Sequence, residues 1–159
     1  WCREFNVKFK INTVVTSVNY QEDMRQTIRK LKPARWKVFQ CLLIAGENTG
    51  ETALRNAESM VVSDQQFKEF CQVHEELGCF VPESNDLMRN SYLILDEQMR
   101  FLDNRNGSKV PSESILKVGL EPALRASGFD EAAFYERGGK FDWSKSQDQN
   151  PLDPDRMDW

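Results

Sequence analysis

Polar and apolar positions change rhythm several times along the chain. Residues 7–15, VKFKINTVV, partly alternate and are rich in β-branched side chains, which predicts a strand. Residues 20–32, YQEDMRQTIRKLK, place Met24, Ile28 and Leu31 at helical spacing. Acids come first and cations last, an order that suits the helix dipole, and Pro33 ends the run. Residues 36–44, WKVFQCLLI, are nearly all apolar and read as a buried parallel strand. Strand, helix and strand in that order form a βαβ unit.

Beyond AGENTG the pattern becomes less regular. Residues 63–78 predict a helix with Ser63 as N-cap, Gln66 in the capping-box position and Gly78 as its stop. CFVPES reads as a short strand. Residues 90–104 hold two short apolar runs around DEQ, the pattern of a hairpin, and NRNGSK is a turn. Residues 120–128 and 130–139 read as short helices, each closed by glycine. The last ten residues, NPLDPDRMDW, carry two prolines and little to pack, so they read as a flexible tail. No internal repeat is visible.

Composition narrows the function classes. Of 159 residues, 40% are hydrophobic and 29% charged, enough apolar content for a packed core. A net charge of -4 argues against a general binder of nucleic acid or membranes, so an anion site must be a local gathering of cations. No apolar run reaches the roughly 20 residues that span a bilayer. The four cysteines lack the spacing of zinc or iron–sulfur sites and read as reduced thiols of an intracellular protein. The chain opens on WCREFNVKFKIN with no Met, which reads as a piece of something longer.

Lys10 and Asn12 share one face of the first strand, and Arg35 and Lys37 share one face of the second. Ligands of parallel α/β folds bind off the carboxyl ends of strands, so these pairs are the first place to look. Cations gathered on one sheet surface are costly without an anion between them. A triphosphate supplies that anion; solvated strand ends are the plainer alternative. ERGGK, with Arg137, Gly138, Gly139 and Lys140, reads either as a helix stop with a left-handed glycine or as an anion nest. It is not a Walker A loop. Tyr92, at the start of YLILDEQMRF, reads by pattern as an amphipathic core residue.

Taken together, FKINTVV, RWKVFQCLLIAGEN, VPESN, SYLILDEQMRFLDN, SILKVGL, SGFDEAAFYERGGKFDWSK and the terminal MDW resemble the C-terminal half of the viperin family, over essentially the whole chain. These are antiviral radical S-adenosylmethionine enzymes. The resemblance implies the last part of a partial (β/α)6 barrel with a C-terminal extension. Residues 1–60 would be the last barrel strands and helices, 61–145 the part closing the nucleotide site, and 146–159 the tail. It implies a reaction in which a deoxyadenosyl radical takes the 4′ hydrogen of CTP, or of UTP in some members, and the 3′ hydroxyl leaves. The product is the 3′-deoxy-3′,4′-didehydro nucleotide.

Position by position, the resemblance makes Lys10 and Asn12 the nucleotide-binding Lys-x-Asn strand. Lys37 becomes a triphosphate-binding lysine, with Arg35 as its neighbour. Tyr92 becomes the hydrogen-atom donor to the substrate radical, and Arg137 to Lys140 the loop that closes on the phosphates. Met157, Asp158 and Trp159 resemble the tail read by the cytosolic iron–sulfur assembly machinery. The family's C-x3-C-x2-C motif for a 4Fe–4S cluster is absent here, so the chain alone is expected to lack cluster and radical chemistry. The implied location is cytoplasmic, or the cytosolic face of the endoplasmic reticulum or lipid droplets where the family's N-terminal helix is present. A non-catalytic interaction module and a generic nucleotide-binding α/β domain are the alternative readings.

Overall fold

The computed structural model describes residues 1–2, 4–51, 53, 55–106 and 109–144. Met157, Asp158 and Trp159 lie outside them. Strand β1 (Lys10–Val15), helix α1 (Arg25–Leu31) and strand β2 (Arg35–Gln40) form the expected βαβ unit. The pairing is parallel, with Lys10 opposite Arg35 and Asn12 opposite Lys37. A second crossover through helix α2 (Asp64–His74) brings strand β3 (Phe80–Glu83) parallel to β2, giving the sheet order β1-β2-β3.

One face of this sheet is the core. Trp36 and Val38 of β2 and Val15 of β1 pack with Ile28 of α1 and with Phe67 and Phe70 of α2. Full burial of side chains this size stabilises by about 1.5–3 kcal/mol each. The Trp36 indole N–H donates to Thr13 at 2.8 Å, so the ring is buried without an orphan donor. Buried His74 closes the start of α1, which has no side-chain cap. Its Nε2 accepts the Met24 N–H at 2.9 Å, so the ring proton sits on Nδ1 and reaches the Phe70 carbonyl at 2.7 Å.

The capping box of α2 is present in full: Ser63 Oγ accepts from the Gln66 N–H at 3.2 Å, and Gln66 accepts from the Ser63 N–H at 2.9 Å. Several boundaries differ from the sequence reading, and strand β1 starts at Lys10 rather than at residue 7. Helix α1 starts at Arg25, because an Asn19-anchored turn occupies the residues before it. Strand β2 stops at Gln40, because the Asn48 side chain takes the Leu42 carbonyl and the Ile44 N–H. Helix α2 ends at His74, with Glu75 as its C-cap, rather than being stopped by Gly78.

The back half is built from short pieces: helix α3 (Asn85–Arg89), strands β4 (Leu102–Asp103) and β5 (Val110–Pro111), and helices α4 (Ile115–Val118), α5 (Leu120–Arg125) and α6 (Glu131–Glu136). The hairpin expected around DEQ is there: Leu95 bridges Phe101 antiparallel, and Met99 takes φ 61° at the turn. β4 pairs antiparallel with β5. Helix α4 was not read from the sequence. The predicted helix stop holds at Gly138, which follows the Arg137 C-cap with positive φ, whereas α5 ends at Arg125 with Ala126 as its C-cap, ahead of Gly128. No helix among the described residues is long and apolar enough to cross a membrane.

Candidate functional site

The second face of the sheet carries the polar residues. Period-two alternation sends Lys10, Asn12, Arg35 and Lys37 to that face together, because β1 and β2 pair in parallel with these residues opposite one another. The Phe39–Glu83 register adds Glu83, the last residue of β3. Ser84 then caps α3 by accepting from the Leu87 N–H at 3.3 Å, and the chain turns back so that Ser91 and Tyr92 return beside Glu83. The Asp130 N–H donates to the Asn90 carbonyl at 2.8 Å. Asp130 also caps α6 by accepting from the Ala133 N–H at 3.0 Å. That anchor sets α6 so that Arg137, directly after its last turn, lands on Tyr92.

Four charged groups meet there, all with little exposure. Glu83 is 0% exposed, Arg35 5% and Arg137 7%. The Glu83 carboxylate pairs with the Lys37 ammonium, accepts from the Tyr92 hydroxyl and lies 3.4 Å from Arg137 Nη1. Lys37 Nζ donates to the Tyr92 oxygen at 3.1 Å. Arg137 donates through Nε and Nη2 to the buried Ser91 carbonyl, at 3.2 and 2.8 Å, and its guanidinium stacks 3.8 Å from the Tyr92 ring centre. Arg35 donates to the Gly138 carbonyl and lies 5.2 Å from the Phe141 ring centre. Its Nε is buried with no hydrogen-bond partner.

The electrostatics follow from burial. Desolvation pulls the Lys37 ammonium below the usual lysine range, against the pull of Glu83 in the other direction. Burial, and then the hydrogen bond to the Glu83 carboxylate, push the Tyr92 phenol well above its ordinary value, so it stays protonated. Two cations, Lys37 and Arg137, thus contact one carboxylate, and a third, Arg35, is held beside them at the Gly138 carbonyl, an excess of two positive charges in a site largely withdrawn from water. A buried charge without compensation costs several kcal/mol, roughly, so the arrangement is suited to an anion.

The sequence-selected residues are not all gathered. Lys37, Tyr92 and Arg137 touch one another directly or through Glu83, and Arg35 joins only through the carbonyl of Gly138, the residue after Arg137. Lys10 and Asn12 are exposed on the neighbouring strand of the same face. Lys140 is exposed, its ammonium 4.8 Å from the Tyr135 ring centre. Gly139 is packed so closely on Phe134 that a Cβ there would come within 2.4 Å of the ring. The cluster runs from the amino-terminal half of β2, which carries Arg35 and Lys37, to the carboxyl end of β3, where Glu83 lies, and Arg137 and Gly138, directly after α6, reach onto it. Glu83 and Ser91 were missed. The signal for Glu83 was its place at a strand end one register step from Lys37, which is visible only once β2 and β3 are known to pair.

The cysteines do not fit an iron–sulfur cluster. All four are free, and burial pushes the Cys41, Cys71 and Cys79 thiols up, Cys71 to about 11, which disfavours the thiolate that ligates iron. Among the described residues no group of three or more His, Cys, Asp and Glu side chains is placed to hold a metal ion.

No family model matches the chain. It is 60% identical over 146 residues, 92% of its length, to "S-adenosylmethionine-dependent nucleotide dehydratase RSAD2" of Oncorhynchus mykiss, of which it covers 42%. The protein of that name from Danio rerio is 61% identical over 146 residues, with 41% covered. An S-adenosylmethionine-dependent nucleotide dehydratase of the bacterium Lacinutrix mariniflava is 36% identical over 147 residues, with 30% covered. The chain therefore spans about two fifths of the length of the fish relatives it matches, in their C-terminal part.

Proposed function

We propose that this chain, a homologue of the C-terminal part of viperin-like S-adenosylmethionine-dependent nucleotide dehydratases, forms the nucleoside-triphosphate-binding part of such an enzyme. The observation that carries the reading is the buried excess of cations at Arg35, Lys37 and Arg137 beside a protonated phenol. Its substrate is CTP or UTP, and the product is the 3′-deoxy-3′,4′-didehydro nucleotide. The parallel sheet is read as the last strands of a partial (β/α)6 barrel, whose polar face is the reaction side.

In this reading Lys37, Arg35 and Arg137 hold the phosphates by charge-assisted hydrogen bonds. Lys10 and Asn12 reach the nucleotide from the open edge of the same face. Gly138, Gly139 and Lys140 close behind the phosphates. Tyr92 supplies one electron to the substrate radical and its hydroxyl proton to the departing 3′ hydroxide, which leaves as water; the phenoxyl radical so formed is restored by the enzyme's external reductant, and burial keeps the phenol protonated at neutral pH until then. The chemistry of S-adenosylmethionine and the cluster belongs to residues outside this chain, consistent with the misfit of its cysteines.

The test is nucleotide binding by the full-length enzyme. Lys37→Ala is expected to weaken CTP or UTP binding by about 1.5–3 kcal/mol in calorimetry, the worth of a charge-assisted hydrogen bond. Unchanged affinity for both nucleotides rejects the site. For the terminal Met157, Asp158 and Trp159 we infer recognition by the iron–sulfur assembly machinery, through an aromatic anchor and a terminal carboxylate. Deleting Trp159 is expected to lower the iron content of the enzyme purified from a eukaryotic host, and equal iron with and without Trp159 counts against this.

A further inference from the structure

Glu83 is the one acid in the cluster and is completely buried. One oxygen of its carboxylate serves the Lys37 ammonium and Arg137 Nη1, and the other accepts from the Tyr92 hydroxyl. Lys37 closes the triangle by donating to the Tyr92 oxygen at 3.1 Å. Arg137 lies over the same ring. The group gripping an anion and the group carrying a transferable hydrogen are therefore fixed to each other through one side chain.

Neutralisation alone does not account for this placement. One carboxylate cannot balance three cations, and the donors it leaves over are the ones a ligand would need. The ammonium has three N–H bonds, of which Glu83 and Tyr92 engage two. Arg35 keeps a buried Nε without a partner. Glu83 thus holds Lys37, Tyr92 and Arg137 together, while one Lys37 N–H and the neighbouring Arg35 Nε remain for a ligand.

We propose that Glu83 is a positioning residue of the nucleotide site, its carboxylate locking the Lys37 ammonium and the Tyr92 hydroxyl into one rigid unit. The proposal rests on the nucleotide-site reading above. It separates two consequences of altering Glu83. The charge sustains protonation of Lys37 against burial and against the repulsion of Arg137 and Arg35. The length and shape set the aim of Tyr92. Gln at this position keeps the shape and loses the charge, and its amide N–H bonds would face Lys37 and Arg137, which are themselves donors. Asp keeps the charge and shortens the reach.

The experiment uses the full-length enzyme with its cluster and S-adenosylmethionine. CTP affinity is measured by calorimetry from neutral pH upward to the ordinary lysine value of about 10.4. In Glu83→Gln, Lys37 loses its proton at lower pH, so the alkaline fall in affinity moves to lower pH than in the native enzyme. In Glu83→Asp that fall stays near its native pH. Nucleotide product per S-adenosylmethionine cleaved drops about tenfold or more in both variants, the worth of one misaligned charged hydrogen bond. In a Tyr92→Phe background, Glu83→Gln adds no further loss of product, because both changes disable one unit. Coincident pH profiles for Glu83→Gln and native enzyme, or a product loss that adds fully to that of Tyr92→Phe, overturn the proposal. Lys37→Ala measured alongside keeps the two ideas apart: if it binds CTP as the native enzyme does, the nucleotide site itself is wrong, whereas weakened binding there with a native-like Glu83→Gln rejects only the role of Glu83.

Discussion

Replacing Arg137 with Ala tests how the C-terminal helix is held to the site. Three contacts beyond α6 disappear together. The buried Ser91 carbonyl loses both of its donors, at 3.2 and 2.8 Å, and an unsatisfied buried acceptor costs about 1–3 kcal/mol. The guanidinium no longer lies 3.8 Å from the Tyr92 ring centre, a contact worth about 0.5–2 kcal/mol when desolvated. Glu83 loses a long contact of 3.4 Å but keeps Lys37, so the roughly 3–5 kcal/mol of an abandoned buried charge does not apply. Removing one of three neighbouring cations offsets part of the loss. The expected net effect is about 2–4 kcal/mol. Arg137→Lys keeps the charge but loses the planar fork that spans Ser91 and Glu83, so it recovers less than half of this. The assay is urea denaturation of the full-length enzyme, with trypsin cleavage of residues 129–144 as a local probe, because detachment of α6 can precede global unfolding. A loss below about 1 kcal/mol for Arg137→Ala, with unchanged cleavage, would refute this account of α6 docking.

Two further outcomes follow from local geometry. Gly139→Ala puts a Cβ 2.4 Å from the Phe134 ring and 2.5 Å from its backbone carbonyl, so the turn after Arg137 must shift at about 1–3 kcal/mol; weaker nucleotide binding and a lower melting temperature are expected, and native values for both would show that the turn yields freely. Ser63→Ala removes the acceptor at the start of α2 and is expected to lower stability by about 1 kcal/mol in thermal melts, while Ser63→Thr largely retains it; equal melting of Ser63→Ala and native protein argues against the capping box as a stabiliser.

Local rules account for much of the front half. The capping box at Ser63 and Gln66 needs only residues three apart, so it could be read directly and is present. The faces of Lys10, Asn12, Arg35 and Lys37 follow from strand periodicity, which holds whatever the strands pair with. The stop at Gly138 follows from the ease with which glycine takes positive φ. Boundaries were less legible, because the end of β2 depends on the Asn48 side chain and the start of α1 on His74, fifty residues later in the chain. The partners of Lys37 were beyond the sequence altogether. Glu83 reaches it only through the β2–β3 register, and Arg137 only because Asp130 is tied to Asn90. Local spacing fixes which way a side chain points along its own strand or helix; which charges meet, and how far water is withdrawn from them, is set by contacts between segments far apart in the chain, and there the tertiary structure alone decided.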